Sequence, residues 1–146
     1  MWNNIKNEAD LQEFMNIHQG FHDSCIKEFK YISGAYIEGK WMHPVNDQRI
    51  LKLVIQGPFE HGHAVEIEFS GLKSLRYFPC DDDYTCEILD STVILKDDCI
   101  YWCDCGGLTE EDVETEAYQG FAVCAAKARW RAASEYTGSK EVYTSV

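Results

Sequence analysis

A mainly β fold, either an antiparallel sheet or a β-sandwich with one short N-terminal helix, is predicted by three features of the sequence. Apolar residues alternate along residues 49–56 and 64–70, placing Leu51, Leu53 and Ile55 on one face and Val65, Ile67 and Phe69 on another. Turn-forming residues punctuate these runs at Gly57-Pro58, Gly62, Gly71 and Gly106-Gly107. Clear helical spacing is confined to Glu8–Ile17, near the start of the chain. The 146 residues, 45% hydrophobic and 26% charged, suit one globular domain spanning 1–146.

The helix places Leu11, Phe14, Met15 and His18 three and four residues apart. Asn7 is its expected N-cap, Glu8 and Asp10 favour its first turn, and Gly20 stops it. Ten residues are marginal as an isolated helix, so this one is expected to lie across an edge or open end of the sheet. From Cys25 to Ile32 the spacing becomes strand-like, and Gly34 interrupts it before Ala35, Tyr36 and Ile37 resume as the second arm of a first hairpin. Residues 38–48, with Gly39, Pro44 and Asn46-Asp47, read as a loop.

The runs 49–56 and 64–70 form the clearest hairpin, with Glu66 and Glu68 expected to face water. Gly71 separates a further strand at 72–79, closed by the acidic turn 80–83 to complete a meander. Residues 86–95 and 99–105 flank the polar connection Lys96-Asp97-Asp98 as two more arms. Thr109 followed by Asp112 weakly resembles a helix-capping pair, so 108–117 is either a short acidic helix or an ordered loop. Alanine favours helix at 120–131, but Phe121, Val123, Ala125, Lys127, Arg129 and Arg131 alternate with Ala122, Cys124, Ala126, Ala128 and Trp130, which selects a strand. The remainder, to Val146, is read as peripheral.

The formal net charge of −12, from 25 acidic and 13 basic residues, repels phosphate backbones and argues against nucleic acid as a partner. Lys127, Arg129 and Arg131 would form a basic row on a strand, but a solvated face explains them as well. No apolar run approaches the roughly 18 residues of a membrane span, and residues 1–10 lack a secretory pattern. Seven cysteines at irregular spacing fit free thiols in a reducing cytoplasm better than a disulfide framework.

The densest chemistry lies at residues 99–107. On a strand, Cys99, Tyr101, Cys103 and Cys105 share one face, while Ile100, Trp102 and Asp104 share the other. Cys99, Cys103 and Cys105 with His22 are the candidate metal ligands, since thiolates and imidazole suit zinc. Side chains two apart on a flat strand stand about 6.6 Å apart, however, and packed thiols are the simpler explanation. Neighbours on a strand face opposite ways, so His22 and Asp23 are not expected to form a dyad. His61 and His63, beside Glu60, read as ordinary loop histidines. No catalytic set and no cofactor motif can be named.

Binding is the better-supported class. Trp41, beside Met42 in a polar loop, and Trp102, near Tyr101 and Trp130, are candidate aromatic anchors. Glu66, Glu68, Asp81, Asp82 and Asp83 would present an acidic surface to a basic protein partner. The competing classes are a small enzyme or metal-binding protein using His22, Asp23 and the 99–105 region, and a small-ligand-binding β domain.

The run Gly20-Phe21-His22-Asp23-Ser24-Cys25-Ile26, followed by strands and Phe69-Ser70-Gly71-Leu72, resembles an uncharacterised family of small bacterial proteins with a Phe/Leu-His-Asp signature. In its order of elements it distantly resembles toxin-immunity protein families. Cys103 to Gly107 and Arg129-Trp130-Arg131 are similar to a group of proteins from anaerobic gut bacteria. The resemblance implies a compact antiparallel β fold and an acidic inhibitor of a basic toxin domain, and it brings no catalytic residues.

Overall fold

A computed structural model describes residues 1–115 and 117–144; Glu116, within the predicted acidic element, and Ser145 and Val146, at the end of the predicted periphery, lie outside the described residues. The fold is mainly β and antiparallel. Its elements are β1 (Asn3–Ile5), α1 (Glu8–Ile17), β2 (Cys25–Ile32), β3 (Tyr36–Glu38), β4 (Trp41–His43), β5 (Ile50–Phe59), β6 (Gly62–Tyr77), β7 (Thr92–Lys96), β8 (Cys99–Cys103), α2 (Glu110–Glu114) and β9 (Phe121–Ala132).

The main sheet runs β2-β5-β6-β9-β8-β7, with β1 added to β9 through Asn3–Ile5. Alternation explains the pairing: Leu51, Leu53 and Ile55 of β5 stand opposite Phe69, Ile67 and Val65 of β6, so both apolar rows fall on one face. The sheet curls around this face. Phe29 of β2 touches Tyr77 of β6 and Phe121 of β9, and Ser24, just before β2, forms an isolated antiparallel bridge with Ile88 in the segment leading to β7. The core inside the curl gathers Trp102, Phe121, Val123 and Ile100 with Leu11 and Phe14 of α1. One curled sheet wraps this core, so the sheet alternative holds and the sandwich alternative does not.

Helix α1 starts where predicted, because Asn7 in extended backbone accepts from the Asp10 N–H at 2.9 Å. Asn7→Ala is expected to lower stability by about 1 kcal/mol, read as a shift in the urea midpoint at unchanged slope. Beyond the helix, Gln19, Gly20, Phe21 and Asp23 all take positive φ between 52° and 63°. This sharp turn drives Phe21 fully into the core and is held by Ser91 N–H to Gly20 O at 3.0 Å and Asp23 N–H to Ile88 O at 2.9 Å.

Three expectations are corrected. Residues 72–79 are no separate strand: β6 runs through Gly71 to Tyr77, absorbing the irregularity as a bulge between Leu72 and Ser74. Gly71 takes φ +61, and a Cβ there would lie 2.9 Å from the Ala126 Cβ, which is why the site takes glycine. The strand after Gly34 does not pair with β2; it is β3, which pairs with β4, a strand inside the expected loop, to form a separate two-stranded ribbon, and β2 pairs β5. The segment after β9 is not peripheral. The Gln56 side-chain amide donates to Tyr136 O and Gly138 O at 2.8 and 2.9 Å, while the Val142 and Tyr143 N–H groups donate to the Glu28 carboxylate at 2.8 and 2.7 Å. This segment covers the outer face of β2, β5 and β6.

The segment 120–131 is a strand as expected, but its alternation changes phase: Phe121, Val123 and Ala125 face the core, then Ala128 and Trp130 do, with Ala126 and Lys127 both exposed between them, so Arg129 and Arg131 lie on the opposite face from Phe121. Thr109 and Asp112 form a reciprocal capping box on α2.

Candidate functional site

Covering of the outer face decides which predicted site residues remain at the surface. Glu66 and Glu68 project outward from β6 opposite Arg131 and Arg129 of β9. Glu66 accepts from Arg131 Nε at 2.9 Å and from the Tyr143 hydroxyl, and is 4% exposed. Glu68 pairs with Arg129 at 2.9 Å, and the Arg129 guanidinium lies 4.4 Å above the Trp2 ring. The expectation that this acidic row faces water is therefore wrong, because a basic row at matching register neutralises it and Tyr143 closes over it. Burial works against the Arg131 charge, but its hydrogen bonds with Glu135 and Glu66 outweigh this and raise its pKa. The same pairs account for the apparent basic row of Arg129 and Arg131.

Trp102 is also unavailable. It is 1% exposed, packed edge-on against Phe21 and Phe121. Trp41 is at the surface, with Tyr36, Ile37 and Met42, on the β3–β4 ribbon, where the Tyr36 ring stacks on His43 at 4.5 Å.

The other exposed predicted residues lie on the loop after β6. Asp81, Asp82 and Asp83 are exposed, and the Asp83 N–H closes a tight turn on the Asp81 carboxylate at 3.0 Å. Three apolar side chains share this loop and remain in solvent: Phe78, Tyr84 (74% exposed) and Leu89 (70%). Behind them is a cleft lined by Glu87, Leu89, Asp90, Asp104, Cys105 and Tyr118. Asp104 is fixed there by accepting from the Tyr118 hydroxyl and from the Phe121 N–H at 3.1 Å, which leaves a carboxylate at the cleft floor. Burial, then the bond to Asp104, raises the Tyr118 pKa and keeps it a donor. Sequence reasoning found the three aspartates but not Glu87, Asp90 and Asp104, which converge only through the Ser24–Ile88 bridge and the turn after β8.

The thiols do not converge as the alternating strand suggested. Strand β8 ends at Cys103, so Cys105 leaves the row and donates to Gly106 O at 3.5 Å. Cys103 is buried, and burial followed by the Asp104 charge pushes its thiol up to about 11. Cys99 lies 2.8 Å from Lys73 Nζ. Among the described residues, no three His, Cys, Asp or Glu side chains come together to hold a metal, which weighs against the metal-binding alternative. His22 and Asp23 correct another expectation: their side chains meet at 2.9 Å, because Asp23 takes φ 63° and does not follow strand geometry. Both are more than half exposed and, among the described residues, no third side chain bonds to them, so the pair behaves as a surface contact.

Among the described residues, no helix is long and apolar enough to cross a membrane. Comparison with family models, with curated proteins and with solved structures gave no match for this chain.

Proposed function

We propose that this is a protein-binding domain that engages a basic partner surface through the loop 78–90. The observation that carries the reading is the joint exposure of Asp81, Asp82 and Asp83 with Phe78, Tyr84 and Leu89 beside a cleft lined by Glu87, Asp90 and Asp104. Aromatic and leucine side chains left in water on an acidic rim supply apolar anchors, and the carboxylates receive lysine or arginine. Each internal ion pair cancels one charge of either sign, so pairing Glu66 and Glu68 does not reduce the excess of −12. That field speeds encounter with a cationic surface and rejects acidic ones. In its specific form the partner is a basic toxin domain, covered as an immunity protein covers its target; the sequence resemblance and the acidic excess support this form. The cytoplasm is the compartment in which such a partner is met.

The test compares partners retained from a lysate of the source cells by the wild type, by Asp81→Asn/Asp83→Asn/Tyr84→Ala, and by Trp41→Ala/Met42→Ala. These side chains are exposed, so both variants are expected to unfold within about 0.5 kcal/mol of wild type. The expected result is a basic protein held by the wild type and the ribbon variant, lost from the loop variant, and released by 0.5 M salt. Loss from the ribbon variant alone, or retention by all three, overturns the reading.

A further inference from the structure

A second chemistry sits on β6, β8 and β9, away from the residues of the loop. Strand β9 is rich in alanine where it passes between β6 and β8: Ala122, Ala125 and Ala126 flank Cys124. Small side chains leave room for groups on β6 and β8 to reach across it. The bulge at Leu72–Ser74 uses that room by turning Lys73 out of register, so that its ammonium reaches over β9 to Cys99 on β8 at 2.8 Å.

Tyr101 stands directly opposite Cys124 in the ladder, which places Cys99 diagonal to Cys124 on the same face. The Cys124 thiol therefore faces both Tyr101 and Cys99. The two thiols differ in surroundings. Cys99 is half-buried at the mouth of a groove lined by Asn4, Lys6, Asp98 and Lys127, whereas Cys124 is 8% exposed. Lys73 acts on both sulfurs but lies in direct contact with Cys99 alone, and Cys124 is the more buried of the two. Burial accordingly pushes Cys124 up.

We propose that Cys99 and Cys124 are a peroxide-reactive thiol pair, with Cys99 the attacking sulfur, Cys124 the resolving one and Lys73 a positioning residue whose ammonium lies against the Cys99 sulfur. The Cys99 thiolate attacks one oxygen of a hydroperoxide. An S–O bond forms, the O–O bond breaks, and the departing oxygen takes the proton given up by the thiol and leaves as water or alcohol. Sulfur is oxidised by two electrons as the peroxide is reduced. Cys124 then attacks the Cys99 sulfenic acid, the S–O bond breaks, and the hydroxyl leaves as water with the Cys124 proton. Two thiols and one hydroperoxide thus give one disulfide, one water and one further water or alcohol.

The chain supplies its own controls, since Cys80 and Cys86 are exposed free thiols. The reduced full-length protein is treated with one equivalent of hydrogen peroxide, quenched by alkylation, and each thiol is followed by peptide mass spectrometry. A Cys99–Cys124 disulfide is expected to form about tenfold faster than oxidation at Cys80 or Cys86. In Cys124→Ala, Cys99 is expected to accumulate as a sulfenic acid that dimedone traps. Lys73→Met, at an exposed position, is expected to slow Cys99 about tenfold and Lys73→Arg to restore most of that rate, with Cys80 and Cys86 unchanged. The proposal fails if Cys99 reacts no faster than Cys80 and Cys86, if the first disulfide joins other cysteines, or if Lys73→Met leaves the Cys99 rate in place.

Discussion

Replacing Arg131 with methionine is expected to destabilise the protein by about 3 kcal/mol, because it leaves the Glu66 carboxylate covered and without its cation. Glu66 is 4% exposed, and once Arg131 Nε is gone its neighbour is the Tyr143 hydroxyl, which cannot neutralise it. The cost comes from stranding a charge and only partly from losing an attraction. Glu66→Gln/Arg131→Met is therefore expected to recover more than half of the loss: the amide oxygen still accepts from Tyr143 and no charge is left behind. Arg129→Met is expected to cost well under half as much, since the Arg129 side chain is 41% exposed and water can replace it beside Glu68. Urea unfolding at pH 7 separates these cases. An Arg131→Met cost below about 1 kcal/mol would mean that Glu66 is hydrated, contradicting the cover placed over it by Tyr143.

The misreading of Glu66 shows where sequence patterning stops. Alternation on β6 correctly assigns Glu66 and Glu68 to the face opposite Ile67, and that much is local. Whether the opposite face meets water depends on residues 134–143, which return from far along the chain and dock through Gln56 and Glu28. No periodicity within β6 encodes that contact. The helix and its cap are legible because every residue they need lies within one turn; β9 is legible as a strand, but its phase is not, because its two core rows, Phe121, Val123, Ala125 and then Ala128, Trp130, join across the adjacent exposed pair Ala126 and Lys127. Gly71 was read as a boundary where it makes a bulge, since a glycine in a strand signals either. The reading of His22 and Asp23 assumed extended backbone. A run of positive φ, imposed by burying Phe21 and by bonds to Ile88 and Ser91, turned their side chains together. In the candidate site, the aspartates of the loop were visible as a charge run, but the cleft carboxylates come from segments joined only by the curl of the sheet.

Stability is expected to fall by about 3 kcal/mol between pH 6.5 and pH 4, through His18 alone. This histidine occupies an apolar position of the helical pattern and is packed among Phe14, Phe21, Phe59 and Trp130 at centroid distances of 4.8–5.1 Å. Burial lowers its pKa from 6.5 to about 4, against the opposing effect of its bond to the Phe14 carbonyl and with a small further lowering from His61. A carbonyl only accepts, so the neutral ring carries its proton on Nδ1 and donates to Phe14 O at 2.6 Å. Above pH 6.5 neither state is protonated at this ring, and the contribution is fully present. Between 6.5 and 4 the unfolded chain binds a proton that the folded chain refuses, and stability drops by about 1.4 kcal/mol per pH unit. Below pH 4 the folded ring is protonated as well and this slope vanishes. His18→Phe keeps the aromatic packing, and the Phe14 carbonyl retains the residue 18 backbone N–H at 3.3 Å, so the variant is expected to fold. Carboxylates also titrate in the lower part of this window, so the readout is the wild-type minus variant difference in unfolding free energy at pH 7.5, 5.5 and 4. A wild-type minus variant difference that falls by about 3 kcal/mol between pH 7.5 and pH 4 places the imidazole in the core; a constant difference would mean that it reaches water and titrates alike in both states.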